Sequence, residues 1–298
     1  MATRPRGREV AKAAKLAKVA DPGGAAKRSP ARSGSGMRAA AGGGASSGAR
    51  KNGSRSGAAS RPLKERLRDA LAALERGGSK AGVAGYARYG VTVDRAYGTP
   101  MNKVQAVARD YPGDHELAQA LWKSGWHEAR LLAPYVADPA LVTPAQMDAW
   151  CDDFDNWATC DTACFVLFDR TPHAFEKIAA WAKRRDEFGR RAAFALLASV
   201  ALHDKTTPDA AFFRVLPLAE RAATDERNFV KKAVSWALRG TGSRSPGLHA
   251  ATLALAERLA ASDDPTARWV GRDVIRDITR PLVVKRAAKR VENRGQHA

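Results

Sequence analysis

The stretch "GRRAAFALLA", residues 189–198, decides the fold class. Behind its basic start, apolar residues recur three and four apart, at Phe194, Leu197, Ala198 and Ala201, the period of one buried helical face. Leu63, Leu67, Leu71 and Leu74 repeat the pattern. From Leu63 onwards the chain reads as helix almost everywhere, with no strong strand alternation and no Asn-Gly hairpin signal. The breaks are turn chemistry: "YPGD" (111–114), "ADPALVTP" (137–144), "RTP" (170–172), "TTPD" (206–209), "GSRSPG" (242–247) and "SDDP" (262–265). Thr143-Pro144, Thr171-Pro172 and Thr207-Pro208 each predict an N-cap followed by proline at the first helical position.

The segments between breaks come in pairs. A basic residue starts the second member of several: "HEARLLA" (127–133), "GRRAAFALLA", "FVKKAVSWAL" (229–238) and "TARWVGRDV" (266–274). Taking Arg130, Asp161, Arg191, Lys232 and Arg268 as equivalent gives spacings of 31, 30, 41 and 36. This loose period predicts an all-α, HEAT-like helix-pair solenoid (an α-α superhelix) whose inner helices line a surface suited to a long partner. A non-repetitive helical bundle is the alternative. The predicted organisation is a disordered basic N-terminal tail over 1–60, a helical-repeat domain over 61–280 and a basic C-terminal helix over 281–298.

Composition supports the division. Residues 1–60 hold thirteen Lys/Arg against two acids and no aromatic residue, so they cannot bury enough apolar surface to offset their ordering entropy. They supply +11 of the formal +19, and residues 61–298 retain +8. A polyanion is the implied partner, nucleic acid first and an anionic membrane second. Three cysteines do not make a disulfide framework, which suits a reducing compartment. No apolar run is long enough to span a bilayer, and the basic start lacks the apolar core of a secretory signal. A transit peptide and a tail that scans DNA both fit that start.

Most catalytic motifs are absent. "GASSG" (44–48) fits a nucleophile elbow by letters alone, without strand or helix around it. No phosphate-binding lysine loop, HExxH or strand-linked G-x-G-x-x-G occurs. "LHDK" (202–205) could pair His203 with Asp204, but at a helix end it reads as a cap on carbonyls. The acidic stretch "CDDFDNWATCDTAC" (151–164) gathers all three cysteines. Cys160 and Cys164 supply two ligands where zinc needs four, so they read as packing residues and no metal is expected.

Within that stretch, Asp155 or Asn156 predicts an N-cap for a helix running to about Phe168, with Asp152 and Asp153 as solvated charges ending the previous helix. Asp161 stands apart, one turn beyond Trp157 and on the same face. An indole and a carboxylate together suit the stabilisation of a cation, and a surface aspartate beside a core tryptophan fits the same residues. Trp236 and Arg239 share a face in the same way on a later helix.

At these residues the chain resembles the AlkD-like DNA alkylation repair glycosylases, which are HEAT-like solenoids. The resemblance runs from about Tyr86 to Thr279. Trp157 and Asp161 match the family's catalytic tryptophan and aspartate, and "RRAA" (190–193) places Arg191 on its DNA-contacting arginine. "KKAVSWALR" (231–239) puts Trp236 on the second tryptophan and Arg239 on a phosphate-binding arginine, and "ARY" (87–89) suggests Tyr89 as a DNA contact. Lys232, at the equivalent repeat position, joins the DNA-binding set. Asn156 stands where better-studied members often carry a further tryptophan.

The resemblance implies hydrolysis of the N-glycosidic bond of cationic N3- or N7-alkylpurines in duplex DNA, without base flipping, lyase chemistry or a cofactor. A cationic base leaves without a general acid, and an oxocarbenium-like sugar remains. In that reading Asp161 stabilises the sugar cation and orients water, while Trp157 and Trp236 contact the deoxyribose and backbone. A monomer in the cytoplasm, associated with the nucleoid, is expected. A non-catalytic binder of structured or damaged nucleic acid and a protein-interaction solenoid are the competing expectations.

Overall fold

The structure, a computed structural model, describes residues 61–295, with side chains through 288. The readings of 1–60 as a disordered, DNA-scanning tail and of "GASSG" lie outside the described residues, as do the side chains at the basic C-terminal end beyond 288. Among the described residues all regular structure is helical. The helices are α1 (Leu63–Gly77), α2 (Lys80–Tyr86), α3 (Met101–Ala108), α4 (His115–Lys123), α5 (His127–Val136), α6 (Pro144–Asp152) and α7 (Trp157–Val166). They continue with α8 (Ala174–Trp181), α9 (Glu187–His203), α10 (Asp209–Ala222), α11 (Asn228–Gly242), α12 (Pro246–Ala260), α13 (Pro265–Ile278) and α14 (Pro281–Gly295). Short 3₁₀ turns lie at Ala87–Tyr89, Pro139–Leu141 and Phe168–Arg170.

The helices form two rows. In the inner row α5 packs on α7, α7 on α9, α9 on α11, and α11 on α13. Partner helices pack behind, α4 on α5, α8 and α10 flanking α9 and α11, and α12 on α13. This is the HEAT-like pairing the spacing predicts. Arg130, Asp161, Arg191, Lys232 and Arg268 fall on α5, α7, α9, α11 and α13, each at the fourth or fifth residue of its helix. The core lies between the rows. Along α9, residues Ala192 through Ala198 are almost wholly buried, because this helix is packed on both sides and from behind.

Caps decide where helices begin. Thr143 accepts from the Gln146 amide ahead of Pro144, as predicted. The other two threonine caps do not form. The Thr171 hydroxyl turns back to donate to the Phe168 carbonyl at 2.8 Å, closing a 3₁₀ turn, and α8 starts later at Ala174. At Thr207-Pro208 the amides of Thr206 and Thr207 donate to the Asp204 carboxylate, so no side chain caps α10. Ser245 and Asp264, each followed by proline, are the caps of α12 and α13. Asn156 caps α7, accepting from Ala158 and Thr159 at 2.9 and 3.2 Å. The helix ends at Val166, short of Phe168.

The acids ahead of α7 are tied down more than solvated charges would be. Asp152 accepts from Arg184 at 2.6 Å, and Asp153 accepts from the Trp122 indole at 2.8 Å. All three cysteines are buried, with the Cys160 and Cys164 thiols directed at the Phe188 and Ala192 carbonyls between α7 and α9. Burial raises the Cys164 thiol well above its ordinary value. These are packing groups, as their spacing suggested.

Asp225, in the turn before α11, ties that turn to α9 by accepting from Arg190 at 2.8 Å and from Arg227 at 2.9 and 2.6 Å. Burial works against its charge, but these hydrogen bonds outweigh it and bring its pKa down to about 2. A depressed carboxylate contributes stability that is present above its unfolded value of about 3.9 and lost as pH falls toward the folded value. Asp225→Asn should therefore lower the melting temperature by about 5 °C at neutral pH, for about 2 kcal/mol of charge-assisted bonding. The gap from wild type should close between about pH 4 and pH 2 in a thermal-melt series.

Candidate active site

Three inner helices converge on one guanidinium. Arg191 of α9 donates from Nε and Nη2 to the two carboxylate oxygens of Asp161 on α7, at 2.8 and 2.7 Å. Its Nη1 donates to the Phe229 carbonyl at the start of α11, at 2.7 Å. The arginine is 7% exposed, and the Asp161 side chain 15%. Burial opposes the guanidinium charge, but Asp161 more than compensates and holds its pKa above the ordinary arginine value. Arg191, the expected DNA contact, lies between the inner helices. Its fork is committed inside the protein, and Asp161 is the group it presents to the open face of the inner row.

Trp157 stands one turn before Asp161 on that face, half-buried, and its indole N–H donates to the Tyr89 carbonyl at 2.8 Å. Tyr89 is 57% exposed in the 3₁₀ turn. Gly90 closes the turn with φ +66°, and a Cβ there would sit 3.3 Å from the Phe229 ring, so both conformation and space favour glycine. The whole segment hangs on Glu128, a wholly buried carboxylate on α5. It accepts from the Tyr86 hydroxyl (2.6 Å) and from the amides of Tyr97, Gly98 and Thr99 (2.9, 2.6 and 3.2 Å). Inside "HEARLLA", Glu128 reads as an ordinary first-turn acid, and no local pattern marks its role.

Trp236 on α11 lies across from Phe165 on α7, with ring centroids 6.3 Å apart and planes inclined at 22°. Phe165 is absent from the residues expected at the site, although Trp157, Asp161 and Phe165 share one face at spacings of four. His203 meets the Phe165 ring edge-on at 4.2 Å. Its Nδ1 pairs with Asp169, not with neighbouring Asp204, and Lys205 is the residue that reaches the Leu202 carbonyl at the helix end. Burial raises the Asp169 carboxyl above its usual range, with His203 and Arg170 offsetting part of the effect.

Lys232, Trp236 and Arg239 recur at four and three along α11. Lys232 is half-buried, with no carboxylate partner among the described residues. Arg239 leans toward α13, with its Nε 3.9 Å from Asp273 and bonded to the Ser235 carbonyl at 3.4 Å. The structure thus brings together Tyr89, Trp157, Asp161 and Arg191, and sets Trp236 beyond them across Phe165. Among the described residues, no group of three or more His, Cys, Asp or Glu is placed to hold a metal ion.

Comparison with protein families matches residues 70–276 to the DNA alkylation repair enzymes. The chain belongs to that family. A solved structure from a family of proteins related to the HEAT-like repeat DNA glycosylases, with affinity for branched DNA structures, superposes with a TM-score of 0.59 at 16% identity. The match covers 70% of this chain and 94% of that one, and it shows the shared fold. No match was found among curated proteins. Membership places a family concerned with DNA repair on a scaffold whose inner row holds the partly buried Asp161 carboxylate one turn beyond Trp157.

The shared guanidinium has a measurable consequence. Arg191→Ala leaves Asp161 partly buried without a partner and the Phe229 carbonyl unpaired, and should cost about 3 kcal/mol in urea denaturation. Asp161→Asn keeps an acceptor for Arg191 and should cost less. An Arg191→Ala protein as stable as wild type would show that the pair does not hold the inner row together.

Proposed function

We propose that the protein is a DNA N-glycosylase that hydrolyses the N-glycosidic bond of cationic N3- or N7-alkylated purines in duplex DNA, without flipping the base. The observation that carries this reading is Asp161, held in one orientation by Arg191 on the open face with Trp157 one turn away. Each Asp161 oxygen keeps lone-pair capacity after accepting from Arg191, enough to orient a water. Departure of the alkylated base carries the bonding electrons onto the purine, which neutralises its positive charge and leaves an oxocarbenium-like sugar. Water then adds at the sugar carbon, and its proton passes to solvent or to Asp161.

The magnitudes are sufficient but moderate. A carboxylate about 4 Å from a sugar cation gains about 4 kcal/mol in an effective dielectric of about 20, and a guanidinium about 8 Å away takes back about 2. The remaining ~2 kcal/mol is worth roughly 30-fold in rate. Orientation of water and the ring faces of Trp157 and Trp236 add to it. No buried base pocket is needed, because a cationic leaving group requires no protein acid.

A second reading has its own support. The bidentate grip of Arg191 neutralises much of Asp161, which suits a binder that does no chemistry, and the solved relative is described by its affinity for branched DNA structures. Release of 7-methylguanine from alkylated duplex DNA separates the two. The glycosylase reading expects single-turnover release by wild type and a loss of about three orders of magnitude in Asp161→Asn, since the ~4 kcal/mol carboxylate attraction goes while the Arg191 charge stays. Wild-type protein that binds the DNA and releases no base would overturn it.

Residues 1–60 enter as an electrostatic addition. Their removal takes away +11 of the charge and should weaken DNA affinity, flatten the salt dependence, and leave release at saturating protein unchanged. A cytoplasmic, nucleoid-associated monomer acting on duplex DNA accords with this proposal.

A further inference from the structure

One large aromatic on the inner row is not used by this chemistry. Trp269, near the start of α13, is 37% exposed while Val270 and Val274 beside it fill the core. The Nζ of Lys231, on α11, lies 5.6 Å from the centroid of its ring. Along α13, Trp269, Arg272 and Arg276 recur at three and four on one exposed stripe, and Arg280 follows just past the helix end. Asp273 falls in the same stripe but is occupied by Ser235, Arg276 and Arg239. Arg280 is paired with Asp277 at 3.0 Å. Lys231, Lys232 and Arg272 have no carboxylate partner among the described residues. A partly exposed indole, with the Lys231 ammonium over one side of its ring, thus stands beside Arg272 on this stripe, one inner helix beyond Trp236.

We propose that Trp269, with Lys231 and Arg272, is a binding site for an unpaired nucleobase and its flanking phosphates, at a strand end, gap or branch next to the duplex. The indole supplies a flat π face, and the cations are set for the phosphates on either side. Bases inside a duplex offer only their edges to a protein, so a stacking face of this kind is used only where a base has lost its partner. Stacking on an indole face takes any base without reading its identity. This inference requires DNA binding by the inner row and does not depend on excision.

Fluorescence anisotropy with the full chain tests it, comparing a blunt duplex with the same duplex carrying a short single-stranded overhang. Wild type should prefer the overhang substrate. Trp269→Ala should lose roughly 10-fold on that substrate and stay within about 2-fold on the blunt duplex. Trp269→Phe should retain most of the preference. Arg272→Ala and Lys231→Met should each reduce the salt dependence on the overhang substrate by about one counterion. The site is overturned if wild type shows no preference. It is equally overturned if Trp269→Ala keeps the preference intact, or weakens both substrates alike at an unchanged melting temperature. Release of base from alkylated blunt duplex, run in parallel, should be unaffected by Trp269→Ala. Absence of release from wild type would sink the glycosylase reading and leave this measurement standing.

Discussion

The inner row depends on the charge pair between Arg191 and Asp161. A solenoid has contacts between neighbouring repeats and few beyond, so each interface must define its own register. Apolar packing defines it loosely, because alanine and leucine surfaces can slide past one another. A bidentate arginine–carboxylate pair cannot slide without leaving a charge in a nearly dry interface. By adding the Phe229 carbonyl, Arg191 locks α7, α9 and α11 with one side chain. That register is what sets Asp161, Trp157 and Trp236 on a common face.

The composition of α9 serves the same end. Its buried residues include Ala192, Ala193, Ala195, Ala198 and Ser199, small side chains on a helix packed from several directions. Small residues let its neighbours approach, and Phe165 of α7 and Trp236 of α11 come within 6.3 Å although α9 packs against both their helices. Larger residues along α9 would push the two rings apart and split the aromatic wall. The site is thus made jointly by a charged lock and an alanine-rich spacer, and the spacer contributes no chemistry of its own.

What could be read from the residues alone follows from the range of the interactions. Periodicity is local, and it correctly gave the helices, their pairing and the equivalent position that holds Arg130, Asp161, Arg191, Lys232 and Arg268. The Asn156 cap is local too, closing onto residues two and three positions ahead. The Thr171 cap failed because the Phe168 carbonyl captured its hydroxyl, and at Thr207 the Asp204 carboxylate is the local partner, bonded to the Thr207 amide. Partnerships across repeats had no such signal. Arg191 could be named as important by resemblance, yet nothing in its neighbourhood said that it would grip an aspartate thirty residues earlier. Asp169 with His203 and Glu128 with the Tyr97–Thr99 amides were hidden for the same reason.

Glu128 carries the reasoning from register to the shape of the site. A wholly buried carboxylate is tolerable only if its lone pairs are filled, and here three backbone amides and a tyrosine hydroxyl fill them. The segment between α2 and α3 has little regular structure, so this charge is what holds it against α5. At its near end Tyr89 receives the indole N–H of Trp157, and Gly90 fits under the Phe229 ring. Phe229 in turn gives its carbonyl to Arg191. The orientation of Trp157 therefore rests on two buried charges at once: Glu128 secures the segment that bonds its indole nitrogen, and Arg191 secures the helix that carries it. In the proposed glycosylase, an aromatic ring held at both ends presents a fixed face to the sugar without reorganising, the condition under which weak cation–π attraction contributes to a transition state.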